Sequence, residues 1–196
     1  MKKIVLAVLA VMCVASLSFA GNWGLGIKLG AGQNDPKTLQ DTYDAFGGEL
    51  TKNYGIFGIE GQYEWAMQEA NKLGLRFGVE GYGDNEYKNG ATEVTESTYA
   101  VPLTVYYRWD KGVKAFSYYA GAGLTYINTE VEYKGLGKGH KSKFFPHIVA
   151  GAEYRFSQLF ALGIEAKYNI AAEVEKNGYK TDRSGISGVL VGRFYF

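Results

Sequence analysis

Eight stretches of this chain alternate bulky apolar residues with small or polar ones, and the eighth ends on Phe196. In the first, Trp23, Leu25, Ile27, Leu29 and Ala31 share one face, while Gly24, Gly26, Lys28, Gly30 and Gly32 share the other. In the fourth, Tyr99, Val101, Leu103, Val105, Tyr107 and Trp109 oppose Thr98, Ala100, Thr104, Tyr106 and Arg108. The same period of two runs through 57–65, 73–82, 116–126, 144–156, 160–170 and 186–196. A period of two belongs to strands, and eight of them at about 9–11 residues suit tilted strands that cross a bilayer. The expected fold is all-β, an eight-stranded antiparallel up-and-down transmembrane barrel.

The start of the chain sets the compartment. Lys2 and Lys3 precede an apolar run from Ile4 to Val14 and a small-x-small exit, Ser18-Phe19-Ala20. This reads as a cleaved signal peptide over 1–20, leaving a barrel domain over 21–196. The one cysteine, Cys13, lies inside the signal, so no disulfide is expected afterwards. Removing Lys2 and Lys3 leaves 19 basic against 20 acidic residues (21 − 2 against 20), a balance that excludes a nucleic-acid partner. Beyond the signal no apolar run is long enough for a transmembrane helix, which leaves the closed barrel as the spanning solution.

Volume decides which face is outside. The apolar face carries Trp23, Phe57, Trp65, Phe77, Trp109, Phe144 and Phe156, too much for the bore of eight strands, which side chains only just fill. The other face is rich in glycine and belongs inside. Long polar loops are expected at 34–53, 84–95, 129–142 and 171–183, facing outward, with short turns at 66–72, 110–115 and 157–159 in the periplasm. Pro102 and Pro146 fall within strands, and irregular pairing is expected at Pro102.

The inward face collects Lys28, Arg76, Arg108, Arg155, Lys167 and Arg193 against Glu60, Glu64, Glu80, Glu153 and Glu165. Near balance in a narrow space predicts an ion-pair network that plugs the lumen. The alternative is a narrow porin-like channel for small solutes, lined by the same charges. His147 faces inward as a hydrogen-bonded residue, and with no second inward histidine or cysteine nearby neither a metal nor a cofactor is expected.

Three segments carry a resemblance: Tyr119-Ala-Gly-Ala-Gly-Leu-Thr-Tyr126, Ala150-Gly-Ala-Glu-Tyr-Arg-Phe156 and Val191-Gly-Arg-Phe-Tyr-Phe196. They resemble strands of the outer membrane β-barrel domain family, which is similar to the transmembrane domain of outer membrane protein A and to opacity-type surface proteins. The resemblance covers essentially the whole mature chain and identifies a scaffold more than an activity. It implies that Phe194 and Phe196 form the C-terminal signal read by the barrel assembly machinery. It also implies outer membrane lipids and lipopolysaccharide as surroundings, and a surface ligand met through the long loops. Unlike outer membrane protein A, the chain is expected to end with the barrel, without a peptidoglycan-binding domain, and to be monomeric. Some small barrels hydrolyse acyl chains of lipid A with a His-x-Ser pair and an acid, and His140-Lys141-Ser142 ahead of Glu153 has that form. The Gly/Lys-rich surroundings do not match those enzymes otherwise, and no catalysis is expected.

Overall fold

A computed structural model describes residues 23–33, 53–67, 70–89, 92–133, 137–170, 173–176, 179–182 and 184–196. The expected signal peptide and the first long loop lie outside the described residues. The elements are β1 (Trp23–Gln33), β2 (Asn53–Ala66), β3 (Asn71–Asn89), β4 (Thr92–Trp109), β5 (Phe116–Tyr133), β6 (Gly137–Arg155), β7 (Phe160–Asn169), β8 (Glu173–Lys176), β9 (Tyr179–Asp182) and β10 (Gly185–Tyr195). Eight of them close an antiparallel barrel in the order β1-β10-β7-β6-β5-β4-β3-β2, and β8 pairs with β9 in a separate two-stranded sheet. The closing seam joins first strand to last, from Gly24 opposite Tyr195 to Gly32 opposite Ser187. Closure leaves no edge inside the hydrocarbon, where an unpaired N–H or C=O has no water to turn to.

The two faces separate as the alternation requires. Ile164, Leu190 and Phe144 are 61, 58 and 67% exposed and point outward, whereas Arg108 and Arg193 are fully buried inside. Outward aromatics gather at the end that carries the short turns. Trp23, Tyr63 and Trp65 form one edge-to-face chain, Tyr107 and Trp109 a pair, and Phe116, Tyr154, Phe156, Phe160 and Phe194 a third run. Such a girdle belongs at a membrane–water interface.

Three of the expected long loops are corrected. The segments 84–95 and 129–142 are mostly strand, because β3–β4 and β5–β6 run on as paired hairpins to Asn89 opposite Thr92 and Tyr133 opposite Gly137. Within 171–183, β8 and β9 form a small hairpin of their own. Above the bilayer both sheet faces meet water, so a strand there needs no apolar face. Since β4 pairs with β5 as far as Val94 opposite Tyr133, strands β3 to β6 rise together as one four-stranded wall.

Pro102 leaves its mark as expected, on one side only. It stays opposite Thr125 of β5, but the β3–β4 ladder breaks off after Phe77 opposite Leu103 and resumes, unshifted, at Glu80 opposite Ala100. A proline has no N–H to offer there. The register slips further up, between Tyr82 and Asn85.

Inward glycines make room for two large rings. A Cβ on Gly74 would meet the ring of Tyr106, and one on Gly151 would meet the ring of Tyr119 and the Ile164 carbonyl. Both tyrosines are buried in the lumen. Gly151→Val is therefore expected to destabilise the barrel by about 2 kcal/mol or more. Gly188→Ala, where nothing lies within 4 Å, should change little. Urea unfolding of both variants in lipid vesicles checks this, and equal stabilities would contradict the packing described.

Candidate functional site: the barrel lumen

Register orders the lumen by depth. At the turn end, β2, β3, β4, β6 and β10 contribute Glu64, Lys72, Arg108, Glu153, Arg155 and Tyr195, and Asp110 follows directly after β4. The middle holds Lys28, Glu60, Arg76, Tyr106, Tyr119, Glu165 and Arg193, and above them lie Glu80, Thr104, Thr125, His147 and Lys167.

Arg193 is the hub of the middle layer. Its Nε donates to Glu60 Oε1 at 2.8 Å and its Nη1 to Glu153 Oε2 at 2.6 Å, while Glu165 Oε2 lies 3.5 Å from Nη2. One side chain on β10 thus ties together β2, β6 and β7. Lys28 reaches Glu60 and Glu165, each at 2.8 Å, with Glu80 at 3.6 Å. Arg76 pairs with Glu165 and lies 3.5 Å from Glu60. Lys167 pairs with Glu80. Arg108 bridges Glu64 at 2.8 Å and Glu153 at 2.6 Å.

Tyrosines complete the network. Tyr106 donates to Glu64 at 2.8 Å, Tyr119 to Glu165 at 2.9 Å and Tyr195 to Glu153 at 2.6 Å. The Arg76 guanidinium also lies over the Tyr106 and Tyr119 rings, at 4.7 and 4.9 Å. Among the described residues five buried cations, Lys28, Arg76, Arg108, Lys167 and Arg193, face six buried carboxylates, Glu60, Glu64, Glu80, Asp110, Glu153 and Glu165, with part-exposed Lys72 and Arg155 beside Asp110 at the rim. An isolated charge in such a space costs several kcal/mol, so each ion keeps at least one counter-ion.

Arg155, expected among these, stands apart at the rim. Among the described residues its carboxylate partner is Asp110 at 3.8 Å, and its guanidinium sits 4.2 Å from the Tyr195 ring. Two rim residues were missed because the alternation was taken to end one position short of each. Lys72 bridges Asp110 at 2.8 Å and Glu64 at 3.3 Å. Asp110 also accepts from the Gly112 N–H at 3.0 Å and from the Ser117 hydroxyl at 2.9 Å. Burial pushes the Asp110 carboxyl up, but Lys72 and the Gly112 N–H outweigh it and hold the group well below the usual carboxylate range.

Two further features lie towards the hairpin end. His147 places Nε2 at 2.9 Å from Thr104 Oγ1 and Nδ1 at 2.9 Å from Thr125 Oγ1, so both ring nitrogens have protein partners. Above it the inward face turns apolar, with Tyr54, Ile56, Tyr82, Ala100, Ile127 and Phe145 buried in one cluster. The sequence reading had missed this layer, although its parity was visible in β2 and β5.

The His-x-Ser arrangement does not assemble. His140 and Ser142 are exposed on the outward face of β6, and Ser142 accepts from Asn128 Nδ2 at 2.6 Å. Glu153 is on the opposite face, eleven positions further along the same strand. That separation is about 35 Å.

A family model described as the outer membrane protein beta-barrel domain matches residues 4–194. The chain belongs to this family. As a member of the outer membrane protein beta-barrel domain family it is a protein of the bacterial outer membrane, and its outward apolar face meets lipid. Neisserial surface protein A is 16% identical over 90% of this chain and 98% of its own, with a TM-score of 0.56. The N-terminal barrel domain of OprF from Pseudomonas aeruginosa is 15% identical over 89% of this chain and 98% of its own, with a TM-score of 0.51. Ail of Yersinia pestis, in complex with the heparin analogue sucrose octasulfate, is 14% identical over 89% and 99%, with a TM-score of 0.50. At these identities the likeness carries the fold alone. No curated protein sequence matches.

The network makes an unequal prediction for two arginines. Arg193→Gln leaves three carboxylates short of a partner and should cost about 3–5 kcal/mol. Arg155→Gln, at the rim, should cost about 1 kcal/mol or less. Equal losses in urea unfolding would show that Arg193 is not the hub.

Proposed function

We propose that this outer membrane barrel is a plugged structural element of the envelope that presents a surface-contact wall to the outside and carries no catalytic role. The observation that supports the plug is Arg193, wholly buried and held by carboxylates from three other strands. A conducting pore would need a continuous water column where this guanidinium stands, so the porin-like alternative is disfavoured. Planar-bilayer recording of the refolded protein tests this. No sustained channel steps are expected, and a steady, large single-channel conductance would overturn the plug.

Residues 1–20 act as a cleaved signal peptide. Phe194 and Phe196, both exposed on the outside of the barrel, form the C-terminal signal for the assembly machinery as well as part of the girdle. The wall formed by β3 to β6 is the contact face. On its β6 limb Lys141 and Lys143 are exposed, which favours phosphates of lipopolysaccharide or an anionic surface ligand. The complex of Ail with a sulfated sugar analogue gives the same ligand class a precedent on a similar barrel. Replacing residues 128–142 by a tight turn should leave the folded barrel intact and weaken cell adhesion and lipopolysaccharide binding. Unchanged binding would leave only the structural role.

A further inference from the structure

The lumen is closed by two layers of different chemistry, and the geometry points to the outer, apolar one as the barrier that keeps external water out. This inference rests on the plugged reading above and divides the plug into parts. Tyr54, Ile56, Tyr82, Ala100, Ile127 and Phe145 come from five successive strands, β2 to β6, and none is more than 5% exposed. Val189 of β10 packs against them from across the barrel. The hydroxyls of Thr98 and Thr129, 3.2 Å apart, lie on the hairpin side of this layer.

Directly beneath it, Lys28, Glu80, Pro102, Thr104, His147 and Lys167 surround a void with room for about one water molecule. The ionic layer begins at this void and runs to the turn end, where Lys72 is 23% exposed.

The two layers resist water differently. In the ionic layer Lys28 has three carboxylates within 3.6 Å, so a charge or a water can change partners there without being stranded. The apolar layer holds no charged group to receive an entering ion; its polar side-chain atoms are the Tyr54 and Tyr82 hydroxyls, and the Tyr82 hydroxyl already donates to Glu80 at 3.2 Å. An ion there would lose its hydration with nothing in return, which is how an apolar constriction excludes water. Loss of one cation from the ionic layer should therefore leave the void shut to the outside, whereas a polar breach in the apolar layer should open it.

Cysteine access separates the possibilities, because Cys13 is the one cysteine of the sequence. Thr104→Cys, in a Cys13→Ser background, puts a thiol on the void. The protein is refolded into sealed lipid vesicles whose exposed hairpins are shown by protease to be external. Silver ion is added outside, and thiol left unreacted is counted by maleimide after unfolding. Adding Phe145→Ser should speed the reaction about tenfold or more, while adding Arg193→Gln should leave it within about twofold of the parent. An unchanged rate with Phe145→Ser, or an equal acceleration with Arg193→Gln, would overturn the assignment. Where Phe145→Ser fails to give a compact, heat-modifiable barrel, Ile127→Thr supplies the same reading. Rapid reaction of the Thr104→Cys parent itself would instead defeat the plugged reading on which the inference stands.

Discussion

An eight-stranded barrel in hydrocarbon has a bore scarcely wider than the side chains that line it, and this one lines it with charge. The charges buried inside the rim have left water, with lipid outside the wall and neighbours above and below. Only mutual neutralisation makes that tolerable. The remaining features follow from this crowding. Glycine on β3 and β6 gives up its side-chain volume so that Tyr106 and Tyr119 can lie across the axis. Those tyrosines in turn donate to Glu64 and Glu165 beside the cations that pair with the same carboxylates.

The resulting structure is unlike at its two ends. The turn end is a girdle of tryptophan, tyrosine and phenylalanine outside and a half-open ionic rim inside, where Asp110 is kept ionised by Lys72 and the turn backbone. The hairpin end is apolar within and rises into a polar wall. A barrel with this profile separates two jobs. The transmembrane part is filled, and in the proposed function contact with the outside falls to the wall, whose composition is free to vary because neither of its faces has to meet lipid.

Much of this was legible in the alternation. Strands such as β1 and β4 could be assigned face by face, since lipid on one side and a narrow lumen on the other impose opposite demands on successive residues. The same parity placed Lys28, Glu60, Arg76, Arg108, Glu153, Glu165 and Arg193 inside, and ten of the eleven residues expected in the network are buried there. Which carboxylate meets which cation was not legible, because partners such as Lys28 and Glu165 come from strands that are not adjacent. Outside the membrane the pattern lost its meaning. Residues 129–133 and 137–142 are strands with polar residues on both faces, and polarity alone read as loop. Lys72 and Asp110 were set aside as turn residues, although strand parity continues through both to the rim.

All of these features depend on the apolar face being turned to lipid. All three tryptophans, Trp23, Trp65 and Trp109, lie on that face at the turn end. Fluorescence quenching in vesicles therefore tests the claim directly, using lipids brominated at different depths together with aqueous iodide. Strong quenching by bromines near the headgroups, weaker quenching by bromines at the chain ends and little by iodide is the predicted order. Quenching by iodide with none from any brominated lipid would mean that the tryptophans do not face a bilayer, and would contradict the structure's placement in the membrane.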